Sequence, residues 1–478
     1  MLNMNSGAGL ALVAGLCAAC SVGSALAETA TEPLITPAEE KNAKKLIDKG
    51  LKDDTAWAIL ESLTTEIGPR LPGSEAEARA RDWGVRKLKD LGFKNVRIES
   101  FEMPYWTRLS ERAEIVSPFP QPLTVTALGQ SPSTPEGGVA GEVVRFETLL
   151  DLEATDMDLT GKIIFVDEPM TRTQDGSGYG VAVQKRSRAA VAAAEKNALA
   201  ALIRSVGTDS HRNPHTGGSV RGGASLAPAP AAALSNPDAD QLARAISHSK
   251  EPVRVHLDIQ TEFKPSVASG NVVGEIPGKS DELIVIGGHL DSWDLGTGAI
   301  DDGAGVAITT AAAKLVGDLR GKPSRTIRVV MWGAEETGLW GARAYAEAHK
   351  DELERHVLAA ESDFGAARIW RFDSLFGETA LAKAVVFQEI LRPLGVGPGT
   401  NTAFGGPDVI PLKAAGVPVV TLYQDGTDYF DLHHTQDDTL DKVDPEAVQQ
   451  NVAAWAATIY LASEMAGGFR DEQVTEDE

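Results

Sequence analysis

Four apolar runs in the second half of the chain each end on an acid or a histidine. Residues 283–286 run into His289 and Asp291, and 326–332 into Glu335 and Glu336. Residues 356–360 run into Glu361 and Asp363, and 417–423, through a loop, into His433 and His434. Short continuous apolar runs bounded by glycine and polar clusters read as strands buried on both faces. Helical patterning falls between them, at 304–319, 340–350, 378–391 and 445–464. This alternation predicts an α/β fold with a mainly parallel central sheet and helices on both faces. Such sheets collect their ligands at the carboxyl ends of the strands.

The first 115 residues are more helical. Thr36-Pro37-Ala-Glu39 has the signature of a capped helix start, and further helices are predicted at 55–67 and 75–91. Residues 93–101 alternate as a strand should, with no sheet partner visible until residue 270. Between 115 and 265 the pattern changes to short strands at 142–145, 162–166 and 253–259, an Ala-rich helix at 189–201, and Pro- and Gly-rich loops such as 214–232. His211 and His215 read as residues of a surface loop. The expected organisation is a discontinuous catalytic domain (28–114 and 266–470) interrupted by an inserted β-rich domain (115–265) that walls or lids a cleft. An acidic tail follows at 471–478.

A length of 478 residues fits two domains, or one carrying a large insertion. The net charge of −23 argues against a nucleic-acid partner, whose backbone demands basic surface. Residues 10–19 form an apolar run too short to span a bilayer, followed by Ala25-Leu26-Ala27, a pattern of export-signal cleavage after residue 27. Residues 1–9 lack the usual Lys or Arg. A lipid anchor at Cys20 is a second reading, weakened by Cys17 in a place usually held by an aliphatic residue. Both cysteines lie in this segment, so the mature chain would hold a metal through nitrogen and oxygen alone. No other stretch reads as a membrane span, and the expected location is periplasmic or extracellular.

His289, Asp291, Asp301, Glu335, Glu336, Asp363 and His434 are therefore expected to converge. Histidine and carboxylate ligands without cysteine suit Zn²⁺, with Mn²⁺ or Co²⁺ as lesser fits. Five or more groups exceed what one catalytic ion takes and predict two ions, which need a bridging carboxylate. Asp301 fits best, because Gly303 and Gly305 let the backbone approach closely. Asp291 is expected to accept the second N–H of His289. The adjacent Glu335 and Glu336 cannot easily point the same way, so one should bind metal and the other act as general base.

His289-Leu-Asp-Ser, Ile300-Asp301-Asp-Gly-Ala-Gly305, Gly333-Ala-Glu335-Glu336-Thr-Gly, Glu361-Ser-Asp363 and His434-Thr-Gln-Asp-Asp-Thr439 resemble, in order, the five signature motifs of the M28 zinc peptidases. The insertion resembles the protease-associated domain of that family's plasma glutamate carboxypeptidase branch. The resemblance implies that His289, Asp301 and Asp363 hold one zinc ion and Asp301, Glu336 and His434 the other, with Glu335 as base. It also implies hydrolysis of dipeptides or short peptides with a free N-terminus, and a homodimer. Tyr423, Gly405, Gly406 and His433 are the candidate substrate contacts. The alternatives are an aminopeptidase releasing N-terminal residues, an N-acyl amino acid deacylase, and a metal-free receptor-like protein, which would lack ligands that this sequence has.

Overall fold

The computed structural model describes residues 33–471. The expected export signal, Cys17, Cys20 and all but the first residue of the acidic tail lie outside the described residues. Helix α1 (Pro37–Gly50) starts as its sequence requires. The Thr36 hydroxyl accepts from the Glu39 N–H at 3.2 Å, and the Glu39 carboxylate accepts from the Thr36 N–H at 2.6 Å. Helices α2 (Thr55–Glu66) and α3 (Glu75–Asp90) follow. The chain then enters β1 (Lys94–Ser117), β2 (Gln121–Leu123), β3 (Val125–Ala127), β4 (Val139–Phe146), α4 (Leu149–Ala154) and β5 (Lys162–Val166). After these come α5 (Ser177–Glu195), β6 (Ala200–Arg204), β7 (Ala231–Leu234), α6 (Asn236–His248) and β8 (Arg254–Ile276).

Two expectations fail here for physical reasons. The expected short strand at 253–259 is one end of a much longer strand, β8, which runs on to Ile276 and pairs antiparallel with β1 along almost its whole length. The middle of this ribbon is polar and half-exposed, so it carries no hydrophobic signal, and a register shift accommodates Pro104 and Pro265. The Ala-rich helix ends at Glu195 rather than 201, because Asn197 turns the chain with a positive φ of 58° and the apolar run after it forms β6. A short apolar run does not by itself separate buried strand from helix.

The remainder alternates: β9 (Leu283–His289), α7 (Ala304–Gly317), β10 (Thr326–Trp332), α8 (Trp340–Ala348), β11 (His356–Glu361), β12 (Ile369–Leu375), α9 (Leu381–Leu391), β13 (Gly397–Pro398), α10 (Ile410–Ala414), β14 (Val419–Gln424) and α11 (Pro445–Glu464). One hydrogen-bonded sheet runs β13-β12-β14-β11-β9-β10-β8-β4-β5-β6-β7-β3, with β1 alongside β8. Strands β10, β9, β11 and β14 are mutually parallel, while β12 joins β14 antiparallel. Alternate residues of the central strands serve two cores. Ile284, Ile286, Val329 and Met331 pack with α7 and α11, while Leu283, Val285, Val330 and Trp332 pack with Tyr345 of α8 and Leu412 of α10. Helices thus cover both faces. α7 and α11, apolar nearly all round, are buried accordingly.

Candidate active site

Parallel pairing brings the carboxyl ends of β9, β10 and β11 to one edge of the sheet, with Trp332 in register with His289. The loop from β9 to α7 is irregular and buried, so its polar backbone needs partners. Arg70, fully buried, donates to the carbonyls of Leu290, Thr297 (2.6 Å) and Gly298 (2.8 Å). Asp438 Oδ1 accepts from the Ala299 and Ile300 N–H groups, both at 2.7 Å. Asp302 accepts from the His289 N–H at 2.9 Å and the Gly305 N–H at 3.1 Å, and the Asp301–Asp302 peptide is cis. A Cβ on Gly305 would stand 1.8 Å from the Ser362 carbonyl oxygen, which is the close approach expected of this glycine.

These restraints aim the Asp301 carboxylate at two histidines at once. Its Oδ1 lies 3.1 Å from His289 Nε2, and its Oδ2 lies 3.1 Å from His434 Nε2. Asp363 Oδ1 is 3.6 Å from the same His289 nitrogen, and Glu336 Oε2 is 3.0 Å from the same His434 nitrogen. The far ring nitrogens are held by backbone: His289 Nδ1 by the Asp291 carbonyl at 3.0 Å, His434 Nδ1 by the Thr216 carbonyl at 3.2 Å. An N–H donated there leaves each Nε2 lone pair turned toward carboxylate oxygens. Asp301 Oδ2 and Glu336 Oε1 are buried without a hydrogen-bond donor. Lone pairs facing lone pairs in a buried pocket fit a cation, and the donor set of imidazole nitrogen and carboxylate oxygen fits a divalent metal. His289, Asp301 and Glu336 offer ligand atoms within 4.8 Å of one another, as do His289, Asp302 and Asp363, and Asp301, His433 and His434.

Electrostatics agree. Burial, and then repulsion from Asp363, pushes the Asp302 carboxyl well above its ordinary range; burial, Asp363 and Glu336 do the same to Glu335. Burial would raise Asp301 too, but the His289 and His434 rings, each 3.1 Å from one of its oxygens, hold it well below the carboxylate range. Burial disfavours a charged His434, yet the Glu336 and Asp301 carboxylates raise its pKa to about 9. Negative charge is concentrated beyond what the local histidines balance.

Three expectations need correction. The Asp291 carboxylate does not take the His289 proton, from which it stands 3.9 Å away; it accepts the backbone N–H groups of Glu335 (3.1 Å) and Glu336 (3.2 Å). Ala334, at a positive φ of 58°, sends the chain back across the end of β9, and Asp291 pins that turn. Gly405 is not in the cavity wall, because its N–H donates to Thr421 Oγ1 and its carbonyl accepts from Glu361 within the fold. His215 is buried rather than part of a surface loop, bonded to the His433 carbonyl at 2.7 Å and to Asp209 at 2.8 Å. It therefore braces the chain that carries His433 and His434.

The site opens into a cavity of about 570 Å³, a size suited to a small ligand. Gly406, Tyr423 and His433 line it, as do Glu335, Glu336, Asp301, Asp363 and His434. His433 stacks on His434 with ring centres 3.5 Å apart. The opposite wall comes from α5 and the loop near Val220, inside the segment expected to wall or lid the cleft, though no single residue there was named; Tyr179, Val183, Arg186 and Ser187 face inward at helical spacing. Asp302, Asp438 and Arg70 also went unassigned. For Asp438 the available signal was its place four residues after His434, within the last of the five motifs.

Comparison with known proteins agrees with this geometry. The model of peptidase family M28 matches residues 271–459. Mouse (Mus musculus) carboxypeptidase Q is 34% identical over 425 residues, covering 87% of each chain. The chain belongs to peptidase family M28. The human (Homo sapiens) carboxypeptidase Q is 33% identical over the same share of both chains. The crystal structure of an M28 peptidase precursor from Shewanella amazonensis superposes with a TM-score of 0.88 at 49% identity, covering 91% of this chain and 99% of that one. A zinc aminopeptidase from Bacillus subtilis shares the fold, with a TM-score of 0.64 at 18% identity. This M28 chain is a metallopeptidase of α/β fold related to carboxypeptidases and aminopeptidases. Among the described residues no helix is long and apolar enough to cross a membrane.

Proposed function

We propose that this M28 peptidase is an exported, dinuclear zinc dipeptidase that cleaves dipeptides and short peptides with a free N-terminus. The observation that carries the reading is Asp301, whose two oxygens face His289 on one side and His434 on the other at 3.1 Å each. His289, Asp301 and Asp363 would hold one ion, and Asp301, Glu336 and His434 the other. Ions bound there would polarise the scissile carbonyl and make water acidic enough to attack at neutral pH. Glu335 lines the cavity beside both groups, takes the proton of the attacking water, and returns it to the leaving amine. Asp291 positions Glu335 and Glu336 through their backbone. Glu361 also lines the cavity and keeps Oε1 without a partner, a carboxyl contact for the substrate's α-ammonium. Residues 115–265 form an inserted domain that closes the cleft, and the active form is a homodimer.

The modest size of the cavity, about 570 Å³, and the carboxypeptidase Q relatives favour dipeptides. Removal of single residues from longer chains is the second reading, supported by the aminopeptidase fold neighbours. A panel of dipeptides and longer peptides with free and blocked termini, run with metal analysis, tests both. Purified protein should hold about two zinc per chain. Glu335→Gln should keep that metal and lose roughly 10²- to 10⁴-fold in kcat. Equal cleavage by the variant would remove Glu335 from its role.

A further inference from the structure

Six acids contribute to the cavity wall: Asp175, Asp301, Glu335, Glu336, Glu361 and Asp363. Arg186 is the only lysine or arginine in that wall among the described residues. It is 8% exposed, so the guanidinium has left bulk water, a costly step unless a counter-charge repays it. The other deeply buried arginines are provided for. Arg325 and Arg328 pair with Glu282 and Glu275 at 2.7 and 2.9 Å, and Arg70 is wrapped in backbone carbonyls. Arg186 has no carboxylate within 4.0 Å among the described residues. Its Nη2 donates to Tyr179 Oη at 2.7 Å, and its Nη1 reaches the Thr216 carbonyl at 3.4 Å and stands 3.2 Å from His434 Nδ1. Its Nε has no partner at all.

An arginine held in an apolar and aromatic wall, with its counter-ion missing, is a receptor for an anion. The anion is assigned to the ligand, since the described residues supply none. A free dipeptide is a zwitterion, and its carboxylate needs a cationic partner in the cavity wall. We propose that Arg186 binds the C-terminal carboxylate of dipeptide substrates, and that this contact selects dipeptides over longer chains. The proposal rests on the dipeptidase reading and adds the group that enforces it. The side chain comes from α5, so the 115–265 segment takes part in substrate choice as well as enclosing the site. A longer peptide carries its carboxylate elsewhere and leaves the guanidinium unpaired, so it is bound less well.

The test compares kcat/KM on one cleavable apolar dipeptide as free acid, on its C-terminal amide, and on a dipeptide amide whose second residue is glutamate. Wild-type enzyme should prefer the free acid over the plain amide by roughly 10- to 100-fold, the worth of a charge-assisted hydrogen bond. Arg186→Gln should lose that preference through the free acid alone, staying within about 3-fold of wild type on the amide, and keep its metal content. Arg186→Lys should recover part of the preference. Equal losses on acid and amide would make Arg186 a support for His434 and overturn the proposal. Arg186 dependence confined to the glutamate amide would move the contact to a side-chain carboxylate and overturn it too. If Arg186→Gln does not fold, the wild-type ratio and Arg186→Lys still decide: no acid preference, or no change in it, ends the proposal. Wild-type protein that cleaves only longer peptides overturns the dipeptidase reading itself, a result distinct from dipeptide cleavage that ignores the carboxylate.

Discussion

At the scale of single residues, polar groups in this protein act through the partner each one finds, and sequence spacing does not reveal which partner that is. His289, Glu336, Asp363 and His434 were legible because each follows an apolar run, and Asp301 because it stands at a Gly-rich turn into a helix. Asp291 was legible as a site residue and misread in its contact, since side-chain carboxylate and backbone carbonyl of one residue compete for the same imidazole. His356 shows the opposite case, a histidine kept neutral. Its Nδ1 donates to the Glu352 carbonyl at 3.0 Å and its Nε2 accepts from Tyr345 Oη at 2.9 Å. Burial lowers its pKa to about 4, against an ordinary value near 6.5. With the folded value below the unfolded one, the unfolded chain takes up the proton first as pH falls. The contribution of His356 is whole above about pH 6.5 and lost progressively down to about pH 4, with a ceiling of roughly 3 kcal/mol. Urea unfolding of wild type and His356→Gln at stepped pH should show their stability difference shrinking across that window. A constant difference would contradict the neutral assignment.

At the scale of elements, local signals located the strands of the catalytic half and the capped helix α1, because burial on both faces and end-capping leave local marks. The β1–β8 ribbon left none. Its hydrogen bonds are made between residues some 150 positions apart in sequence, and its side chains are half-solvated. The irregular turn from Ala299 to Gly303 that leads into α7 is likewise set by distant groups, Arg70 and Asp438. One local requirement of that turn is open to test. The Cβ of Gly305→Ala would stand 1.8 Å from the Ser362 carbonyl oxygen and 2.4 Å from Asp302 Oδ1, neither of which is the end of a flexible chain. The helix start must shift, at a cost of about 1–3 kcal/mol as for other overpacked sites. The shift is passed to Asp301. Urea unfolding should show the loss of stability, and metal analysis a weakened site. Wild-type values in both would mean that the loop gives way more cheaply than its packing indicates.

At the scale of the whole molecule, the candidate ligands come from the ends of β9 and β11, the turn before α7, the loop after β10 and the segment between β14 and α11. No two of these elements place an acid opposite a histidine unless the sheet has formed. Once it has, Asp301 and Glu336 stand about a hydrogen-bond length from His434, with Asp301 Oδ2 and Glu336 Oε1 lacking donors. The folded chain alone concentrates these charges, so an ion that balances them binds the folded state and stabilises it by mass action. At 100 to 1,000 times its dissociation constant, one ion is worth about 3–4 kcal/mol. Stripping the protein with a chelator should therefore lower Tm by on the order of 5 °C, given how melting shifts scale with stability in large domains. Added zinc should restore it. Two variants separate this linkage from a general effect of the chelator. Asp301→Asn removes the carboxylate shared by both histidines and should abolish most of the chelator-dependent shift. Glu335→Gln should retain the full shift while losing activity, because that side chain is assigned to the proton and not to the ions. A chelator effect of equal size in all three proteins would place the stabilising metal away from the strand ends, and the site assignment would have to follow it.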